Sequence, residues 1–98
     1  MNNNSQASRI HLIITGRVQN VGFRAFVQKA ATHLSITGWV RNVKYDQVEV
    51  VAEGPLSSLD DFLDILKIGP LGSRVDDLNF SRENFTGEFS RFSIRTSH

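Results

Sequence analysis

No cysteine occurs in the chain, which excludes disulfides, thiolate metal centres and cysteine nucleophiles and leaves stability to the packed core. No apolar run approaches the length of a membrane span. Residues 1–8, Met-Asn-Asn-Asn-Ser-Gln-Ala-Ser, lack the charged start and apolar stretch of a signal peptide. An excess of charge of one sign is also missing. With 11 Lys and Arg against 10 Asp and Glu, the net charge is +1, which does not supply the clustered basic face that a polyanion requires. Internal repeats, low-complexity tracts and domain linkers are absent. The expectation is a cytoplasmic monomer, an enzyme or binding module, with no nucleic-acid and no membrane partner.

What is present is enough for one two-layer core: 98 residues, 40% hydrophobic and 21% charged. Residues 1–8 are polar and without periodicity and read as a disordered tail, leaving 9–98 as the folded domain. Ile10, Leu12 and Ile14 form the inner face of a first strand, and the apolar Ile13 between them puts that strand in the middle of its sheet. A helix is expected from about Gly22 to Leu34, with Phe26, Val27, Ala30, Ala31 and Leu34 as its buried stripe and Gln28, Lys29 and Thr32 facing water.

Trp39 to Lys44 and Gln47 to Glu53 read as a hairpin turning at Tyr45-Asp46, with Val48, Val50 and Ala52 on its dry face. Gly54-Pro55 ends it. A second helix from about Ser57 to Lys67 buries Leu59, Phe62, Leu63 and Leu66. Ser57 with Asp60, or Ser58 with Asp61, is expected to cap its start, and Gly69-Pro70 stops it. Val75 to Ser81 and Phe89 to Arg95 supply a fourth strand and a short fifth, separated by a polar loop around Glu83 to Gly87. This order predicts an α+β, ferredoxin-like (βαββαβ) two-layer sandwich: an antiparallel sheet ordered 4-1-3-2, an extra C-terminal strand, and two helices on one face.

The stretch from Thr15 to Arg24 joins the first strand to the first helix. A loop of that kind ends on the free N–H groups of a helix's first turn, where the macrodipole favours an anion, and Gly16, Gly22 and Arg24 suit it. Spacing alone leaves two readings open, an anion cradle or a glycine-bearing turn followed by a solvated arginine, because neither a Walker loop nor a dinucleotide fingerprint is present. Asn42 is the second position of interest. Period two puts it on the inner face with Val40, beside the start of the helix, and its amide is either an ordinary strand-end hydrogen-bonding group or a functional one.

Gly-Arg-Val-Gln-Asn-Val-Gly-Phe-Arg from Gly16 to Arg24, followed by Gly38-Trp39-Val40-Arg41-Asn42, closely resembles the two signature segments of the acylphosphatase family. With Glu53-Gly54-Pro55 and Phe92-Ser93-Ile94-Arg95, the likeness runs through nearly all of the chain after the first eight residues. The resemblance implies a hydrolase that cleaves the carboxyl–phosphate bond of a small-molecule acyl phosphate, without cofactor or metal. It implies that Arg24 and the amides of the 17–23 loop, mainly those of Gln19, Asn20, Val21, Gly22 and Phe23, hold the phosphate, and that Asn42 orients the attacking water. Inorganic phosphate or sulfate is the expected product-like ligand. Where this chain has Asn20 the family most often has glycine, which implies a positive φ there, a conformation asparagine tolerates.

No general acid is recognisable, which requires a leaving group that departs unprotonated, as a carboxylate does. His11, His33 and His98 are scattered and match no metal spacing. Asp60, Asp61 and Asp64 read as the solvated side of the second helix, Asp76 and Asp77 as pointing to opposite faces of a strand, and Phe80, Phe85, Phe89 and Phe92 as seals at the sheet edge and the end of the core. Three rival functions share parts of this pattern. An RNA-binding module has the same order of elements, but the open face carries Glu49 and Glu53. The second is the acylphosphatase-like segment of a hydrogenase-maturation carbamoyltransferase, and the third is a catalytically silent anion sensor.

Overall fold

The computed structural model describes residues 6–96. The first five residues of the expected tail, and His98, lie outside the described residues. Seven elements follow in order: β1 (Ala7–Arg17), α1 (Phe23–His33), β2 (Thr37–Asn42), β3 (Gln47–Pro55), α2 (Leu56–Ile68), β4 (Arg74–Glu83) and β5 (Phe92–Ile94). They build one five-stranded sheet ordered β4-β1-β3-β2-β5, antiparallel throughout except where β5 runs parallel to β2. This is the ferredoxin-like arrangement with its additional last strand. No helix among the described residues is long and apolar enough to cross a membrane.

β1 is central because both its faces carry apolar groups. Ile10, Leu12 and Ile14 are fully buried beneath the helices, and Leu12 stands between Val50 of β3 and Phe80 of β4. The strand starts earlier than the sequence indicated: Ala7 and Ser8, assigned to the tail, pair with Pro55 and Gly54. On α2 the expected stripe of Leu59, Phe62, Leu63 and Leu66 is buried as read. On α1 the stripe is rotated, with Phe23, Val27 and Ala31 at its centre and Phe26, Ala30 and Leu34 only partly covered. Gln28, expected to face water, instead donates from Nε2 to the Phe92 carbonyl at 3.2 Å and ties α1 to β5.

The serine caps expected on α2 are not made. The helix starts one residue earlier, after Pro55, and the Leu56 N–H donates to the Gln6 carbonyl at 3.0 Å, so a chain neighbour in space serves where a side chain was anticipated. Asp60 and Asp61 consequently fall beyond its first turn. Of the four phenylalanines read as seals, Phe92 is buried edge-on against Phe62, with centroids 6.2 Å apart, whereas Phe80 and Phe85 are nearly half exposed.

Glu53 departs most from the sequence reading. It lies on the sheet face away from the helices, yet its side chain is 0% exposed, because residues 84–91 cross that face between β4 and β5. Its carboxylate accepts from the Thr86 N–H (2.9 Å), the Thr86 hydroxyl (2.8 Å), the Gly87 N–H (3.0 Å) and Arg9 Nη1 (3.3 Å). Arg9 extends the network to Glu88 and Glu83 and lies over the Phe89 ring. Nearby on the same face, Glu49 is held by His11 and Arg41. The acidic pair thus serves internal bonding rather than an open surface.

Burial alone raises the pKa of Glu53, but the four donors outweigh it and hold the carboxyl below its ordinary value of 4.5. A depressed folded pKa adds stability that is complete above the unfolded value and is lost as pH falls through the folded one. Urea unfolding should therefore show stability declining as pH drops below about 4.5, the ordinary value. Glu53→Gln should flatten that decline and lower stability at neutral pH by about 2 kcal/mol, the scale of leaving buried donors unpaired. A variant with native stability and a native acid profile would contradict the assignment of Glu53 as the pin of this crossing.

Candidate active site

β1 parts from β3 after Thr15, and its pairing with β4 shifts register between Thr15 and Gly16 before continuing to Arg17. Gly16 has φ +142°, and a Cβ there would lie 2.1 Å from the Arg74 carbonyl oxygen, so only glycine lets the strand pass β4 at this point. The loop that follows is anchored at both ends by buried apolar groups, Val18 and Phe23. Between them Asn20 takes φ 61° and Gly22 takes φ 73°, two left-handed residues that curl the main chain. Gly22 is the N-cap of α1 and offers no side-chain bond. Among the described residues, the N–H groups from Gln19 to Ala25 donate to no backbone carbonyl. They are unpaired donors at the positive end of a helix.

Arg24 is the second residue of α1. Arg9, Arg41, Arg74 and Arg82 each pair with a carboxylate, whereas Arg24, like Arg17, Arg91 and Arg95, has no ion pair among the described residues. Asn42 closes β2, opposite Val48 and on the inner face with Val40, as its period implied. Its Oδ1 is buried without a hydrogen-bond donor. An acceptor left without a protein donor in this way is uncommon in folded proteins.

These groups share one cavity of about 220 Å³. Gln19, Asn20, Gly22, Phe23, Arg24 and Asn42 all line it, together with Val18, Ala25 and Ile94, which the sequence reading did not single out. Period two from the buried Phe92 along β5 would have found Ile94. Val21 does not line the cavity; its side chain packs partly buried on the core. Gln19 also does more than expected, since its side chain bonds the β2–β3 turn at the Lys44 and Gln47 carbonyls. No lining residue is an Asp, Glu, His, Lys or Tyr, and no group of three or more metal-ligating side chains occurs among the described residues.

A pocket with main-chain donors, an unneutralised guanidinium and no Asp, Glu, His, Lys or Tyr is chemically suited to a multiply charged oxyanion, as a phosphate-handling member of this fold class would require. The comparisons with known proteins agree. The family model for acylphosphatase matches residues 10–94. An acylphosphatase of Syntrophotalea carbinolica is 47% identical over 87 residues, covering 89% of this chain and 95% of that one. The crystal structure of acylphosphatase from Bacillus subtilis superimposes with a TM-score of 0.87 at 39% identity, covering 90% of this chain and 98% of that one. Full-length HypF is matched with a TM-score of 0.85 at 26% identity, but over only 12% of its length. The chain belongs to the acylphosphatase family.

Asn20 sits in the conformation that explains the family's usual glycine. Asn20→Gly removes the strain of a side chain in the left-handed region and should leave acyl phosphate turnover unchanged or slightly raised, within about 3-fold, as measured by kcat and KM. A large loss would reveal a function for the Asn20 side chain itself.

Proposed function

We propose that this acylphosphatase hydrolyses the carboxyl–phosphate bond of a small acyl phosphate by direct in-line attack of water, with Arg24 and the loop amides holding the phosphate and Asn42 holding the water. The observation that carries the reading is the buried, donorless Oδ1 of Asn42 in the same cavity as the unpaired Arg24. The water donates one proton to Oδ1 and directs a lone pair at phosphorus. As the new P–O bond forms, the bond to the acyl oxygen breaks and its electron pair leaves with the carboxylate. The water's protons pass to the phosphate product and to solvent.

Phosphoryl transfer leaves the protein little covalent work, so positioning and charge stabilisation make up most of what the site contributes. Negative charge on the three equatorial oxygens meets the Arg24 fork and the free N–H groups of Gln19, Asn20, Val21, Gly22 and Phe23. Substrate class follows from what the cavity does not hold. With no acid among its lining residues, the leaving group departs unprotonated. A carboxylate, whose parent acid has a pKa of about 4, does so readily and an alkoxide does not. All of these groups come from one copy of the chain, so a monomer suffices, and phosphate or sulfate should bind as a product-like competitor.

Arg24→Lys keeps the charge and loses the two-pronged fork, and should nearly abolish both benzoyl phosphate hydrolysis and inhibition by inorganic phosphate. Near-native rates would remove Arg24 from its assigned role. Asn42→Ala should lower kcat by about 10²-fold, the scale of one well-placed transition-state hydrogen bond, with phosphate inhibition largely retained. If phosphate affinity collapses instead, Asn42 binds the anion rather than the water. A native chain that binds phosphate but turns over no acyl phosphate would be an anion sensor.

A further inference from the structure

The main chain of the loop between β1 and α1 makes no hydrogen bond to β2 or β3 after Gly16, whose N–H donates to the Asp46 carbonyl at 2.9 Å. Beyond that point the polar link among the described residues is one side chain. Gln19 Nε2 donates to the Lys44 carbonyl and, at 3.0 Å, to the Gln47 carbonyl. A primary amide nitrogen carries two protons, enough to engage both carbonyls of the turn that joins β2 to β3. The same two carbonyls close that turn, because the Gln47 N–H donates to Lys44 and the Val43 N–H to Gln47, each at 3.1 Å. Asn42 immediately precedes this clasp. The burial of Val18 and Phe23 fixes the ends of the loop and leaves its tilt toward Asn42 to Gln19.

We infer that the Gln19 side chain is a positioning residue for the hydrolysis: it sets the separation between the anion cradle and the Asn42 carboxamide, and through them between phosphorus and the attacking water. This rests on the roles proposed above for Arg24 and Asn42. Displacements of about 1 Å between reacting groups are felt strongly in rate, whereas the cradle's own donors and Arg24 remain on one segment when the clasp is cut. The loss therefore falls on kcat and spares anion affinity.

The test measures kcat for benzoyl phosphate and the inhibition constant of inorganic phosphate in Gln19→Ala, in Asn42→Ala and in the double variant. Gln19→Ala should lower kcat about 10-fold and change the inhibition constant by less than about 3-fold. In the Asn42→Ala background it should cost nothing further, because no held water remains to be aligned. Unchanged kcat, a change confined to phosphate affinity, or losses that multiply in the double variant overturn the inference. Native kcat in Asn42→Ala overturns the underlying reading instead, whatever Gln19 does. Gln19→Met, which keeps the stem and removes both protons, repeats the comparison if the alanine variant fails to fold.

Discussion

N–H dipoles aimed at one point repel one another while the point is empty, so an anion cradle has to be held open by something other than its own bonds. In the cradle proposed for the 17–23 loop, that duty is divided. Val18 and Phe23 sink the two ends of the loop into the core, Asn20 and Gly22 supply the left-handed turns, and Gln19 fastens the middle to the neighbouring hairpin. α1 begins without a side-chain cap, which leaves its first-turn donors unbonded by the N-cap residue. The sheet beneath, with its fully buried Ile10, Leu12, Ile14, Val48 and Val50, is what makes such a loop sustainable.

Charge is distributed to the same end. The arginines at positions 9, 41, 74 and 82 are each matched with a carboxylate, two of them in networks that tie distant segments together, while Arg24 is kept clear of acids. A carboxylate beside Arg24 would compete with phosphate for the same fork and bring a titrating acid into a cavity lined by none. Glu53 shows the opposite use of a charge, buried and saturated with donors to hold a long crossing segment across the sheet. Arg24 is left without an acidic partner, and Glu53 is fully occupied with architecture.

Much of this was legible in the residues because it depends on short-range periodicity. Alternation in β1 and β3, the stripe of α2 and the inward aim of Asn42 follow from spacings of two and of three to four, the order of strands from the order of elements, and the positive φ at Asn20 from the glycine that the resemblance implies there. What escaped depends on partners far away in sequence. Gln19 reads as any polar loop residue until the turn at Lys44 and Gln47 is brought beside it, and Glu53 reads as solvated until Thr86 and Gly87 arrive to bury it. The start of α2 differs from its pattern for the same reason, since the group that satisfies Leu56 belongs to Gln6. The resemblance named the donors of the cradle; spacing alone had left Arg24 and Asn42 undecided between roles.

The order of strands has one further outcome. β4 lies at the border of the sheet, so along its ten residues one side of the backbone has no ladder partner. Such a border invites foreign strands, and a long, flat, apolar one nucleates fibrils. This one carries Arg74, Asp76, Asp77, Arg82 and Glu83, so a second molecule laid against it in register would have to set like charges side by side. Charge on the outermost strand thereby disfavours the parallel, in-register stacking on which fibrils are built.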